Sequence, residues 1–338
     1  MRHSSQGTRN THGVAPVTVG DGLKTVPYKS VPCKSAISAV VVVVAGLMSM
    51  RAAAQTQAPV RGEKRFQTRV DLITVTATVT DRDGHLVPGL PRDAFEIFED
   101  GEHQTISQFT NERVPIGLGA LIDISDSMFG KRIEDARAAV DRFLFELLAP
   151  DDEFFILAFN HRPHVLTGWT RQPDVVRGAL GGLRPSGGTA VYDAIVDALS
   201  IAGQRSKART ALLIISDGAD TASNATLREV RSALLRSEAF VYAIAIDSSE
   251  RQTINTRVNP EALREITSES GVRTEIVQRS SDLAAATARI AEELNSQYVL
   301  AYPSSRASDG QFHSIRVRIA GSDFRVRARN GYVAARHS

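Results

Sequence analysis

Apolar and polar residues alternate from Ile73 to Thr80, with Ile73, Val75, Ala77 and Val79 on one side and Thr74, Thr76, Thr78 and Thr80 on the other. A period of two built from β-favouring residues predicts a half-buried strand. Asp83-Gly84 then supplies a turn, Leu86 and Val87 resume strand pattern, and Phe95, Ile97 and Phe98 lead into a second turn at Asp100-Gly101, ahead of Ile106 and Phe109. Residues 65–112 therefore read as a small β unit.

After Pro115 the period changes. Apolar runs at 116–124, 154–159, 165–169, 211–216, 240–246 and, more weakly, 274–277 alternate with helix-period segments near 133–147, 175–180, 190–202, 227–237, 260–268 and 282–294. Strands covered by helices on both faces need no polar side, so this alternation predicts a doubly wound, mainly parallel α/β sheet. Thr226 with Glu229 forms a capping box at the start of one helix. Strand pattern returns at 298–301, then as Ile315, Val317 and Ile319 interleaved with Arg316 and Arg318, and as Phe324, Val326 and Ala328 interleaved with Arg325, Arg327 and Arg329. Neither this piece nor 65–112 is long enough to bury an apolar face alone. The expected architecture is an α/β domain over 113–296 inserted into a β-sandwich-like domain whose halves are 65–112 and 297–338.

The first 54 residues stand apart. They hold Arg2, Arg9, Lys24, Lys29, Lys34 and Arg51 against Asp21 alone, whereas the whole chain of 338 residues carries a net charge of only +2. The body is thus mildly acidic, with no electrostatic footprint for nucleic acid. Lys29 and Lys34 precede an apolar run at 35–50, which ends at Arg51-Ala52-Ala53-Ala54. That order reads as a signal peptide over 1–54 cleaved before Gln55, with 55–64 a polar linker. The run falls short of the roughly 18–20 residues a spanning helix needs. An exported protein is expected, periplasmic, cell-surface or secreted, meeting a membrane only if the leader stays uncleaved. Cys33, the only cysteine, precedes the apolar run, so a lipidated cysteine after it is not expected, nor a disulfide, thiolate nucleophile or cysteine-ligated metal in the body.

Three short segments carry the chemistry: Asp123-Ile-Ser125-Asp-Ser127, Gly187-Gly188-Thr189 and Ser216-Asp217-Gly218. Each sits at a strand end or helix start, and in an open α/β sheet such loops gather at the carboxyl edge, where ligands bind. Singly, these residue types also cap helices and close loops. Together they bring two carboxylates and three hydroxyls to one edge. That is a hard-cation donor set suited to Mg²⁺, and its neutral hydroxyls leave a bound ion able to accept a carboxylate from outside.

In these residues the sequence resembles the von Willebrand factor type A domain and its metal-ion-dependent adhesion site, whose pattern is D-x-S-x-S, a distant threonine and a distant aspartate. The resemblance covers about residues 115–295. It implies that Asp123, Ser125, Ser127, Thr189 and Asp217 hold Mg²⁺ or Mn²⁺, directly or through water, and capture an Asp or Glu carboxylate of a protein partner. The flanks, with Phe95-Glu-Ile-Phe-Glu-Asp-Gly and Arg329-Asn-Gly-Tyr332, look like those of exported bacterial proteins called VWFA-related. Gly130 and Lys131 stand where the integrin version adds acidic residues, so no neighbouring ion is expected.

His161 and His164 have a metal-like spacing, but with Pro163 between them and no third nitrogen or sulfur ligand they read as loop residues. The terminal arginines form a basic face, read chiefly as a solvated edge that resists strand pairing. Asn224-Ala-Thr226 fits a glycosylation sequon, though capping already explains Thr226. The function expected is non-enzymatic protein binding. Two alternatives are a scaffold subunit with one obligate partner and a phosphoryl-transfer enzyme using Asp123. The latter chemistry, as in the haloacid dehalogenase family, wants a carboxylate two residues on, where Ser125 stands.

Overall fold

The computed structural model describes residues 71–204, 209–218, 220–246, 260–306 and 308–335. The leader 1–54, with Cys33, and the linker 55–64 lie outside the described residues, as do residues 65–70 of the first β unit. No helix among the described residues is long and apolar enough to cross a membrane.

Two antiparallel sheets are built from the flanks of the chain. The first takes β1 (Asp71–Thr80), β4 (Gln108–Thr110), β11 (Tyr298–Ser304) and β13 (Arg325–Ala328) in the order β13-β1-β11-β4. The second takes β2 (Phe95–Glu99), β3 (Glu102–Gln104), β12 (Phe312–Ile319) and β14 (Gly331–Val333) in the order β14-β12-β2-β3. Each sheet thus joins an amino-terminal strand to a carboxyl-terminal one, with Val75 opposite Leu300 and Ile97 opposite Val317. Ile73, Val75, Ile97, Tyr298, Leu300 and Val317 share one core, into which the alternating face of β12 points while Arg316 and Arg318 face out. Leu86 and Val87 form no strand. Leu86 makes a single bridge to Thr80, and Pro88 and Pro91 lack the N–H that longer pairing requires.

Between these flanks lies a sheet of β5 (Ile116–Asp123), β6 (Glu153–Phe159), β7 (Pro163–Thr170), β8 (Arg209–Ser216), β9 (Phe240–Ile246) and β10 (Thr274–Val277), in the order β10-β9-β8-β5-β6-β7. Every pairing is parallel except β6 with β7. One face packs against α1 (Lys131–Arg142), α2 (Pro173–Gly181) and α6 (Ser280–Asn295). The other packs against α3 (Val191–Gly203), α4 (Leu227–Arg236) and α5 (Pro260–Glu269). All eight residues of β5 are buried, which is what a central strand covered on both faces requires.

The two β sheets meet the α/β part near the amino ends of its parallel strands. Buried Glu293 of α6 accepts hydrogen bonds from Thr78 of β1 and Tyr242 of β9, each at 3.3 Å, and from Arg327 of β13 at 2.6 Å. Arg209, the first residue of β8, donates to Gln297 and to the Leu294 carbonyl. Gly271, at φ 78° between α5 and β10, lies so close to β13 that a Cβ would sit 2.3 Å from the Ala328 carbonyl carbon. The carboxyl edge of the parallel sheet is at the opposite end.

Candidate functional site

β6 follows β5 on one side and β8 returns on the other, so the loops leaving the carboxyl ends of β5 and β8 diverge. A crevice forms at such a switch point. Asp123, the last residue of β5, is fully buried there. Its Oδ1 accepts the Ser125 N–H at 2.8 Å and its Oδ2 accepts the Ser216 hydroxyl at 2.6 Å. The chain then makes one 3₁₀ turn, Asp126–Met128, pinned by buried Met128, and the Ser125 and Ser127 hydroxyl oxygens come to 2.9 Å of each other. Asp126 is exposed; its N–H donates to the Gly187 carbonyl at 2.9 Å and its carbonyl accepts from the Phe129 N–H at 3.3 Å.

Thr189 is brought in by a second loop. Ser186 N–H donates to the Ile124 carbonyl at 2.8 Å, and Gly187 takes φ 78°, a conformation a side chain resists, with His161 Nδ1 only 3.2 Å from where its Cβ would be. Thr189 is 4% exposed; its N–H donates to Thr221 Oγ1 at 2.9 Å and its carbonyl accepts from Thr221 and Ala222. Asp220 caps α3 by accepting the Val191 N–H at 2.9 Å. The segment after β8 therefore holds Thr189 in place, which ties the second loop to the third.

Asp217, just after β8, is buried and accepts from Arg132 at 3.2 Å. The same Arg132 nitrogen donates to the Ser127 carbonyl at 2.9 Å. Arg132 escaped the sequence reading although a signal was present: it lies on the helical stripe of Ala136, Ala139 and Val140, the buried face of α1. Burial pushes the Asp123 carboxyl up to about 6, against the hydrogen bonds from Ser125 and Ser216, and the charge of Asp217 adds to the rise. Two buried carboxylates beside serine and threonine hydroxyls make a set of hard oxygen donors, and this suits a small divalent cation.

The structure thus brings Asp123, Ser125, Ser127, Thr189 and Asp217 to one edge of the sheet. It does not add the histidines: His161 lies beside Gly187, and His164 is a residue of strand β7 rather than of a loop. Thr226 and Glu229 form the expected capping box on α4. Among the described residues, a compact group of metal-ligating side chains occurs at Asp81, Asp83 and His85. There Asp81 Oδ1 accepts the N–H groups of Asp83 and His85, as an aspartate closing a turn does.

Residues 120–219, which include the carboxyl half of β5, the D-x-S-x-S loop, Thr189 and Asp217, match the family model of the von Willebrand factor type A domain. This segment is similar to a type A domain. Solved structures similar to it include the conserved hypothetical protein BatB from Bacteroides thetaiotaomicron, at 18% identity and TM-score 0.45, over 53% of this chain and 98% of that one. Another is a von Willebrand factor type A protein from Catenulispora acidiphila, at 13% identity and TM-score 0.47, over 80% of this chain and 74% of that one. A third is the vWF domain of the type V pili tip protein Mfa5 from Porphyromonas gingivalis, at 14% identity and TM-score 0.43, over 54% of this chain and 96% of that one. No curated protein matches the chain.

Proposed function

We propose that this chain is an exported binding protein whose type A domain uses Asp123, Ser125, Ser127, Thr189 and Asp217 to hold Mg²⁺ or Mn²⁺ and thereby capture an acidic side chain of a protein partner. The observation that carries the reading is the buried pair Asp123 and Asp217, set beside adjoining serine hydroxyls at the switch point of the sheet. When bound, a divalent cation supplies an open coordination position and positive charge to an incoming carboxylate. The chain's own residues do the remainder. Ser216 and the Ser125 N–H orient Asp123, and Arg132 offsets the charge of Asp217. The two β sheets pack at the far end of the domain and leave the carboxyl edge to the partner. Phosphoryl transfer is the weaker reading, because Ser125 stands where an acid–base carboxylate is required.

Calorimetry with Mg²⁺ and Mn²⁺ tests the site: one saturable site is expected, lost in Asp123→Ala with the fold retained. A pull-down with and without chelator tests the capture, which should vanish on chelation and return with Mg²⁺. Unchanged metal binding in Asp123→Ala would refute the assignment.

A further inference from the structure

A cleft of about 450 Å³ opens in the β part, where β13 of one sheet passes the outward face of β12 in the other. Its lining includes Arg316, Arg318, Arg329, Asn330, Ser314 and Phe98, and no carboxylate. Ser314, Arg316 and Arg318 alternate along β12 and face out together, while Ile315, Val317 and Ile319 fill the core. Arg316 and Arg318 form no ion pair among the described residues, not even with Glu96, which sits across the ladder from Arg318. Arg318 lies over the Phe98 ring at 5.2 Å, which steadies its plane. Arg329 is held more firmly, 5.6 Å over the Tyr332 ring and donating at 3.4 Å to the Ser237 carbonyl. Its Nε is buried and has no hydrogen-bond partner.

This arrangement is costly as it stands. Three guanidinium groups around one cleft repel one another, and a buried N–H without an acceptor forfeits its hydration. A solvated strand edge explains Arg316 and Arg318 but not the placement of a third guanidinium, Arg329, on the wall of the same cleft. An oxyanion in the cleft offsets the mutual repulsion of the three guanidinium groups, since guanidinium forks pair with tetrahedral oxyanions through parallel charge-assisted hydrogen bonds. Asn330 adds a neutral polar group to the same wall, while the Ser314 hydroxyl donates to Asp100 at 3.2 Å. We propose that this cleft binds a phosphate- or sulfate-bearing ligand through Arg316, Arg318 and Arg329. The site stands apart from the carboxyl edge of the parallel sheet and requires no metal.

The test is calorimetry of the metal-depleted full chain with inorganic phosphate and with inorganic sulfate. One saturable site is expected, weakened about tenfold for each arginine contact removed, and so strongly reduced in Arg316→Gln/Arg318→Gln. Both residues are exposed, so that variant should fold normally. Arg329→Gln should weaken binding about tenfold on the same reckoning. Sedimentation with vesicles of phosphatidic acid in phosphatidylcholine distinguishes the source: pelleting that the double variant abolishes assigns a lipid headgroup, and no pelleting alongside positive calorimetry assigns a free ligand. The absence of saturable binding, or equal affinity in wild type and Arg316→Gln/Arg318→Gln, overturns the proposal.

Discussion

Arg132 and Asp217, separated by 85 residues in sequence, form a buried ion pair at 3.2 Å beside the D-x-S-x-S loop. The guanidinium therefore places one positive charge where the proposed site would place two more. Neither partner is solvated, so breaking the pair strands a buried charge, at a typical cost of about 3 kcal/mol. Arg132→Met is expected to lose stability of that order in chelator. Mg²⁺ should then raise the melting temperature of the variant more than that of wild type, because the ion takes over the compensation of Asp217. Denaturant and thermal melts with and without Mg²⁺ measure both effects, and an identical response to Mg²⁺ in the two proteins would contradict this role.

Phe129 is 78% exposed, immediately after the turn that carries Ser127. A large apolar side chain left in water at the rim of the candidate site contributes nothing to folding and is available to a partner. Phe129→Ala should change stability by less than about 0.5 kcal/mol and leave Mg²⁺ binding unaltered. Capture of the partner should weaken about tenfold. Parallel calorimetry and pull-down titrations separate the effects, and undiminished capture would remove Phe129 from the interface.

His313 in β12 is almost fully buried between two carboxylates, with Nδ1 at 2.7 Å from Asp100 and Nε2 at 3.0 Å from Asp309. Burial alone would lower its pKa, but the hydrogen bonds to Asp100 and Asp309 outweigh it and hold it above 6.5. Both carboxylates fall below 3.8, chiefly through their hydrogen bonds to His313. The histidine's contribution is complete below 6.5 and is lost as pH rises through its raised value; that of the aspartates is present above 3.8 and is lost as pH falls through their lowered values. Stability from this cluster should peak between those limits. Urea midpoints against pH should show a fall on the alkaline side that His313→Gln flattens.

Leu300 is fully buried in the core that β1 and β2 share with β11 and β12. Leu300→Ala should cost about 2–5 kcal/mol. Hydrogen exchange should then rise together in the strands before and after the parallel sheet, while β5, β8 and β9 retain protection. Unchanged exchange in β1 would show that the two flanks do not stand or fall as one core.

Much of this was legible in the chain itself. Period two in 73–80 and 315–319 and the fully apolar runs of β5, β8 and β9 identify elements and their buried faces, because pleat and helix geometry translate spacing directly into exposure. The alternation of strand and helix places Asp123, Thr189 and Asp217 at strand ends and helix starts, so their meeting at one edge follows from topology. Other features depend on the folded chain. Which strands of the two flanks pair, Val75 with Leu300 and Ile97 with Val317, is set by a register that no local pattern encodes. Arg132 lies on the apolar stripe of α1 and Arg329 in the basic face of the last strands, but neither position names its partner. Arg132 is buried against Asp217 and Arg329 reaches the Ser237 carbonyl, and such contacts are decided by what packs around a side chain rather than by the residue or its neighbours in sequence.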